Sequence, residues 1–377
     1  REAEANACAS WAAFERGSWL EPELSKEEQQ SIVARAFSLD DFLSGLPSRS
    51  RDDSSGIAPH VTLSSLAPRK RLQMWRYLHE LMPTRPLLPE VWAELERRNA
   101  RYCRVKEILE STQTFLHAEQ AILRSDPATV LRRGKVQVRA GRTYNPSIRR
   151  VVDVACGHGL VGLLLAYRFP SLSVVGIDRT QRLAFAAYVD AWAAAHHTVA
   201  VEDSTGEDAQ AINVAPLANI HFVEGDFSDI APVHSDTEEP VGGAALVDSE
   251  TLVLCIHGCN EVNVEAVEMA RRAAASWLIV PCCLKTDLYL HLESVRLPDD
   301  MHYAFLCGSM ATSYGADRVA TLDGRITPRS IVLSGGERAS SEGQVTREQA
   351  ARLTAHGRTS SLPMQSGIGN RASRAML

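Results

Sequence analysis

The stretch VVDVACGHGL, Val151–Leu160, decides the fold of this chain. An apolar, β-branched run leads into Gly157-x-Gly159, and the apolar residues that follow are typical of a helix. A ligand can approach the backbone closely at such glycines because no side chain stands in its way, and the helix N-terminus offers unpaired N–H groups. The spacing is not that of a phosphate-binding P-loop, since no Gly-Lys-Ser/Thr follows, nor does it fit G-x-G-x-x-G.

The chain after Arg150 alternates between β-branched runs and segments rich in Ala and Leu. Strands are predicted at Val151–Ala155, Ser173–Ile177, Ile220–Val223, Leu252–Ile256 and Trp277–Val280. Helices are predicted between them at Leu160–Phe169, Gln181–His196 and Glu261–Ala275. Near-continuous apolar strands separated by helices indicate a parallel sheet covered on both faces. The predicted fold class is therefore α/β, with a doubly wound, Rossmann-like sheet.

Turn and loop signals complete this outline. Asp323-Gly324 lies between the apolar runs Val319–Asp323 and Ile326–Leu333, which predicts an antiparallel hairpin at the last edge of the sheet. Two polar insertions, Val201–Gln210 and Val233–Ser249, are predicted to be surface loops.

Acidic residues follow the second and third strands. Asp178 ends the second strand, where a carboxylate can accept both hydroxyls of a ribose. Asp226 follows the third strand and can accept from an adenine amino group, with Phe227 against the ring. With Asp153 at the first strand, Asp178 and Asp226 make three acids in series, each at a strand end. This series favours a nucleoside-containing cofactor. The alternative is a cofactor-free or NAD-binding α/β domain.

The run Asp153-x-x-x-Gly157-x-Gly159 resembles the motif of S-adenosylmethionine-dependent methyltransferases, which have a seven-stranded sheet of this kind. The resemblance implies S-adenosylmethionine as the cofactor. It implies that nine residues at the first three strand ends bind it: Asp153, Ala155, Cys156, Gly157, Gly159, Asp178, Arg179, Asp226 and Phe227.

A second motif, LCIHGCNEVNVEAVEMARRAAASWLIVPCCLK, runs from Leu254 to Lys285. It resembles the methyltransferase group that contains the acceptor-stem tRNA ribose 2′-O-methyltransferases and their methyltransferase-like relatives. The matching residues are His257, Cys259, Pro281, Cys282 and Cys283, and the chain departs from the group at Asn260, where Gly or Asp is usual. The resemblance covers about residues 148–290. It leaves out the zinc-binding module of the tRNA enzymes, since only Cys8 and Cys103 precede residue 150.

His257, Glu261 and Lys285 are the candidate catalytic residues. His257 ends the fourth strand, where a histidine can position the substrate or act as a general base, or can simply bond a loop carbonyl. Lys285 can contact an anionic substrate or lie in solvent. No Asn/Asp-Pro-Pro-Tyr motif occurs at Cys255–Gly258, which disfavours methylation of adenine or glutamine nitrogen.

The adjacent Cys282 and Cys283 allow four interpretations: core packing, loop rigidity, catalytic thiols, or a metal site with His257 and Cys259. Adjacent residues of an extended chain point in opposite directions, which favours packing or an unusual turn. No metal is expected.

Four regions are predicted along the chain: short helices and loops in 1–67, a basic helical region in 68–147, the methyltransferase domain in 148–335 and a flexible tail in 336–377. Helices are predicted at Lys26–Ala36, with Ser25 and Glu28 forming a capping box, at Arg69–Leu81, from Pro89 to Arg124 without a break, and at Arg347–His356. Pro47–Pro59 is predicted to be an exposed loop.

Charge is distributed unevenly. The 377 residues carry a net charge of −6, but residues 68–150 carry +10 and residues 151–300 carry −15. A basic segment beside an acidic domain indicates either electrostatic docking of the helices on the domain or an RNA-binding surface.

Three function classes follow. RNA is the leading methyl acceptor, a small molecule under a lid of N-terminal helices is the alternative, and a catalytically silent subunit of an RNA-containing assembly is the third. The longest apolar runs are too short to span a membrane. Eight cysteines without a disulfide pattern indicate a reducing intracellular compartment. The sequence assigns no oligomeric state.

Overall fold

Seven strands form one mixed sheet. They are β1 (Arg150–Val154), β2 (Ser173–Asp178), β3 (Ile220–Glu224), β4 (Thr251–Ile256), β5 (Ser276–Val280), β6 (Arg318–Thr321) and β7 (Ile331–Gly335). Their spatial order is β3-β2-β1-β4-β5-β7-β6. The first five strands are parallel, and the antiparallel pair β6–β7 completes the edge next to β5. The predicted α/β, Rossmann-like sheet with an antiparallel closing hairpin is confirmed.

The computed structural model describes residues 23–47, 56–82, 88–124, 143–144, 148–203, 217–227, 246–259, 261–285 and 297–336, all within one compact unit. The predicted tail, with the helix Arg347–His356, lies outside the described residues, as do most of the segments Pro47–Pro59 and Val233–Ser249. None of the described helices has both the length and the apolar composition needed to cross a bilayer.

Nine helices are described, in chain order: α1 (Lys26–Ala34), α2 (Leu39–Leu43), α3 (Pro68–Leu81), α4 (Leu88–Asn99), α5 (Val105–Ile122), α6 (Leu160–Arg168), α7 (Leu183–Asp203), α8 (Glu261–Arg272) and α9 (Asp299–Tyr314). The predicted capping box is present at α1, where Ser25 and Glu28 bond each other's backbone N–H groups. Helix α7 extends three residues into the segment predicted to be a loop from Val201.

The prediction of one continuous helix from Pro89 to Arg124 is wrong. The chain breaks into α4 and α5 around a short 3₁₀ turn at Ala100–Tyr102. The reason is tertiary: Leu63 donates its N–H to the carbonyl of Cys103, and Val105 donates to the carbonyl of Val61. Backbone groups that pair with another segment in this way cannot complete the helical hydrogen bonds across the break.

The predicted hairpin forms, but its turn is longer than Asp323-Gly324 alone. Strand β6 ends at Thr321, which is paired with Ile331 at the start of β7. Ile326, predicted to lie in a strand, is fully buried in the connecting loop, where its N–H bonds the carbonyl of Asp323. Burial of this side chain in the core favours the loop over a tight two-residue turn.

The helical region packs on the sheet through apolar surface. One continuous cluster of buried side chains includes Trp75 of α3, Trp92 of α4 and Phe115 of α5 together with Leu163 of α6 and Trp192 of α7. Burial of this much apolar area outweighs exposed charge pairs in free energy.

Ion pairs of both polarities join the basic and acidic segments among the described residues. Arg149 and Arg150 lie 3.4 Å and 3.3 Å from Glu250 and Asp248, whereas Arg168 of α6 lies 2.9 Å from Glu119 of α5. Other arginines of the helical region pair locally, as Arg104 does with Glu107 at 2.7 Å. Electrostatic docking of the basic helices therefore stays a prediction.

Candidate functional site

A cleft of about 490 Å³ opens at the C-terminal ends of β1, β2 and β4. Eight of the nine residues predicted to bind the cofactor line it: Asp153, Ala155, Cys156, Gly157, Asp178, Arg179, Asp226 and Phe227. Parallel strands present their C-terminal ends at one edge, and ligands bind there in open α/β sheets where the strand order reverses. Here the order reverses between β1 and β4, and both strands border the cleft.

Gly157 and Asp178 are joined directly. The Gly157 N–H donates to Asp178 Oδ2 at 2.8 Å, which fixes the glycine loop against the end of β2. Gly157 has φ +59°, and a Cβ at this position would meet no atom within 4 Å. Its missing side chain therefore leaves space on the open side of the loop, which is what the close approach of a ligand requires.

Gly159 has a different role from the one predicted. It does not line the cleft, and a Cβ there would lie 2.4 Å from Cδ2 of Phe185. Its φ is +66°, and it is the N-cap of α6. Gly159 therefore permits the packing of the glycine loop on Phe185, and a bulky replacement would strike that ring.

Asp153 is 2% exposed and lines the cleft. Burial raises its pKa to about 7, the Asp178 carboxylate adds to the rise, and a hydrogen bond from the Gly162 backbone opposes it. Its Oδ1 atom has no hydrogen-bond partner among the described residues. A buried acceptor of this kind requires a donor from water or from a bound ligand, and the ammonium group of S-adenosylmethionine is one donor of the right kind.

Arg179 and Asp226 form the rim of the cleft. Asp226 Oδ2 accepts from Nε of Arg179 at 3.0 Å and from Nη2 at 2.7 Å. Phe227 is 5% exposed and packs in the apolar cluster that contains Val154 and Ile177. The acid and the aromatic ring predicted to meet an adenine thus lie at the same cleft, with the carboxylate held by an arginine.

His257 lies in the wall of the cleft, beside a residue that the sequence analysis did not identify. Its Nε2 atom is 3.0 Å from Oε1 of Glu110, a buried residue of α5. The distance is that of an ion pair, although its angles are not those of a hydrogen bond, and neither atom has another partner among the described residues. In the sequence, Glu110 is distinguished only by its position directly after Leu109, which belongs to the apolar stripe of α5.

The environment of Glu110 keeps it ionised. Burial opposes the charge, but the nearby imidazole of His257 and the ammonium of Lys106, which lies 2.7 Å away, together lower the pKa of Glu110 to about 2. His158 lies in the same cleft wall, where burial lowers its pKa and its Nδ1 accepts the N–H of Leu160.

The backbone at the end of β4 is held in an uncommon conformation. His257 has φ +58°, and Ala155 at the end of β1 has φ +53°. His257 is fixed by its N–H bond to the carbonyl of Val280 at 2.9 Å. A Cβ at Gly258 would lie 2.1 Å from Cys255 Sγ. Non-glycine residues with such angles are concentrated at functional sites.

Glu261 and Lys285 lie outside the lining of the cleft. They form an ion pair with each other, and each side chain is about half exposed. The two residues predicted to assist catalysis are therefore partners of one another at the surface.

Cys259, Cys282 and Cys283 are brought together, contrary to the expectation that Cys282 and Cys283 point apart. Cys282 Sγ lies 3.6 Å from Cys283 Sγ and 3.8 Å from Cys259 Sγ. The expectation assumed an extended chain, but the backbone bends at Cys282. Burial raises the pKa of the Cys282 thiol.

Comparison with known proteins gives one family match: residues 137–287 match the profile of a family described as a methyltransferase domain. Together with the seven-stranded fold, this match supports S-adenosylmethionine as the cofactor. No curated protein matches the chain.

Several solved structures are similar to the chain in fold. One is the antibiotic-resistance methyltransferase Kmr, with 14% identity over 49% of this chain and 85% of that one and a TM-score of 0.28. Another is a fibrillarin/Nop5p complex, with 11% identity over 61% and 81% and a TM-score of 0.32. A third is an O-methyltransferase family protein from Burkholderia thailandensis, with 15% identity over 71% of each chain and a TM-score of 0.29. At these values the similarities say nothing about the substrate.

Proposed function

We propose that the chain transfers the methyl group of S-adenosylmethionine to a hydroxyl oxygen of RNA, with His257 as the proton acceptor. The contact between His257 Nε2 and Glu110 Oε1 in the wall of the cleft carries the proposal. It supplies the one group that methylation of a hydroxyl needs from the protein besides orientation, which is a base.

Five residues hold the cofactor in this proposal. Asp178 accepts from the ribose hydroxyls, the unpartnered Oδ1 of Asp153 accepts from the ammonium of the methionine part, and Gly157 leaves room beside the backbone. Asp226 and Phe227 border the adenine. The cofactor supplies a methyl group already activated on a sulfonium, so the remaining barrier is one of orientation and proton removal.

Glu110 would determine which nitrogen of His257 carries the proton. A carboxylate facing Nε2 favours the tautomer with the proton on that atom, which leaves Nδ1 to accept the proton of the substrate hydroxyl. His257 would accept the proton that the substrate hydroxyl gives up on methylation, and the ionised Glu110 would stabilise the imidazolium that forms. This is the function of the acid in acid–histidine pairs generally.

RNA is favoured as the acceptor by charge and by the sequence resemblance. Residues 125–142 contain five Arg or Lys and one Asp. The chain on either side of this segment is joined by an antiparallel ladder of Leu123–Arg124 with Thr143–Tyr144. Among residues 69–124, Arg97 and Arg104 also present exposed guanidinium groups, with side chains 66% and 47% exposed. Such groups contribute the salt-dependent part of RNA affinity.

A small-molecule acceptor is the second candidate, and one observation favours it. Glu110 and Ser111 of α5 line the cleft, so the helical region forms one wall of the site. A wall of this kind limits the size of the acceptor group that reaches the methyl.

A methyl-transfer assay tests the proposal. The chain is incubated with methyl-labelled S-adenosylmethionine and total RNA, or with a small-molecule extract, and Asp178→Ala is the control for cofactor-dependent labelling. We expect label in RNA with the unaltered chain and little with Asp178→Ala. Label only in the small-molecule fraction supports the second candidate, and cofactor binding without any transfer contradicts both and favours a silent subunit.

A further inference from the structure

Three thiols lie together where the chain leaves β4 and β5. The Sγ atoms of Cys259, Cys282 and Cys283 are all within 4.8 Å of one another. Two neighbouring parallel strands supply them: Cys259 follows β4, and Cys282 and Cys283 follow β5. The cluster is therefore built by the sheet rather than by one flexible loop.

The backbone leaves little freedom in this arrangement. The bond from the His257 N–H to the Val280 carbonyl ties the two strand ends together, and the carbonyl of His257 lies 3.5 Å from Cys282 Sγ and 3.8 Å from Cys259 Sγ. Gly258 cannot be replaced without a clash with Cys255. The position of Cys259 opposite Cys282 thus follows from fixed contacts.

Two of the three sulfur separations match those of a thiolate metal site. Zinc–sulfur bonds of about 2.3 Å at tetrahedral angles place two sulfurs about 3.8 Å apart. The observed separations are 3.8 Å between Cys259 and Cys282 and 3.6 Å between Cys282 and Cys283. Thiolates are soft ligands, which select zinc over the hard cations magnesium and calcium.

We propose that Cys259, Cys282 and Cys283 bind one zinc ion, with water in the fourth position. Cys259 and Cys283 are exposed, so the ion has a path of entry and the fourth position faces solvent. Binding releases the protons of the thiols and forms three zinc–sulfur bonds, without any change of oxidation state. Because Cys259 also lines the cleft, the ion ties the strand end that bears His257 to the turn after Pro281.

Metal content under reducing conditions tests this directly. The full chain is stripped with a chelator, reloaded with Zn²⁺ in the presence of a reductant and freed of excess metal, and zinc is measured by mass spectrometry. We expect one zinc per chain, lost in Cys259→Ala, Cys282→Ala and Cys283→Ala. Cys307→Ala, which alters a buried thiol on α9, is the matched control and should retain the metal.

A spectroscopic probe reports on the ligands. Co²⁺ in place of zinc should give the sulfur-to-cobalt charge-transfer absorption of a thiolate site, weaker in each single variant. Thermal melting with and without zinc shows whether the variants fold, and only the unaltered chain and the control should be stabilised by the metal. Neither measurement depends on methyl transfer, so failure of the proposed function leaves this test intact.

Two results would overturn the proposal. One is a reduced, folded chain that retains no zinc after loading. The other is unchanged zinc in the three cluster variants, which would locate the metal elsewhere.

Discussion

Nε2 of His257 lies 3.0 Å from Oε1 of Glu110, and the two residues belong to different parts of the chain. Glu110 is on α5, before the sheet, and His257 ends β4. The helical region and the sheet therefore each supply one half of this pair, so the cleft wall is complete only when both are folded against each other.

Replacing Glu110 should impair transfer and spare cofactor binding. Glu110→Gln keeps the shape of the side chain but removes the charge that stabilises an imidazolium at His257. We expect the single-turnover rate to fall by roughly 10–100-fold, less than the roughly 10²–10⁴-fold loss for removal of a general base. Affinity for S-adenosylhomocysteine, measured by calorimetry, should stay the same.

The matched control for this change is Glu107→Gln on the same helix, where the glutamate pairs with the exposed Arg104. His257→Asn serves for the base itself, because asparagine tolerates the left-handed φ of +58° better than alanine does. Full activity in Glu110→Gln, or equal losses in Glu110→Gln and Glu107→Gln, would contradict a role for the pair.

The pKa of Asp153 predicts how stability changes with pH. The folded chain holds this proton up to about pH 7, whereas the unfolded chain releases it near pH 4. Between these values the folded state binds more protons than the unfolded state, so this residue makes the free energy of unfolding fall as pH rises. Chemical denaturation at several pH values should show this fall, reduced in Asp153→Asn.

Cofactor binding should show the opposite trend. An ammonium group beside Asp153 favours the ionised carboxylate, so affinity for S-adenosylhomocysteine should increase as pH rises through about 7. The increase should be absent in Asp153→Asn. An identical pH dependence of affinity in the two proteins would remove Asp153 from the methionine site.

Alanine substitutions at Gly157 and Gly159 should affect stability and cofactor affinity differently. Both have positive φ, so alanine at either position costs about 1–2 kcal/mol in backbone strain. Gly159→Ala also drives a Cβ to within 2.4 Å of Phe185, and overpacking adds about 1–3 kcal/mol. We expect a lower melting temperature in Gly159→Ala than in Gly157→Ala, and the larger loss of cofactor affinity per folded molecule in Gly157→Ala. The reverse ranking would place Gly159, not Gly157, at the ligand.

Charge reversal at Arg97 and Arg101 tests the RNA surface. Both residues are exposed, and exposed ion pairs such as that of Arg97 with Glu94 contribute at most about 1 kcal/mol to stability. The double variant should therefore melt near the unaltered chain. If these residues bind phosphates, the salt dependence of RNA binding should weaken by about one unit of slope for each phosphate that is no longer neutralised. A lower melting temperature with unchanged RNA binding would indicate that the two arginines stabilise the fold and do not bind RNA.

The sequence by itself determined the sheet and the cofactor cleft. Near-continuous, β-branched apolar runs such as Leu252–Ile256, separated by helical segments, indicate buried strands of a parallel sheet, and the glycine turn after Val154 fixes where the first strand ends. Because parallel strands end at one edge, Asp153, Asp178 and Asp226 could be assigned to one cleft from their spacing alone. These properties are local and periodic, and local patterns are visible in a sequence.

Only the tertiary structure decided which distant residues meet. The pairing of Val61 and Leu63 with the 103–105 segment breaks a helix that periodicity predicts to be continuous. Glu110 becomes the partner of His257 because α5 packs across the cleft, and no motif marks it. Cys259 meets Cys282 and Cys283 because β4 and β5 are neighbours and the chain bends after β5. Such contacts depend on the packing of elements far apart in the chain, and the periodicity of each element carries no information about that packing.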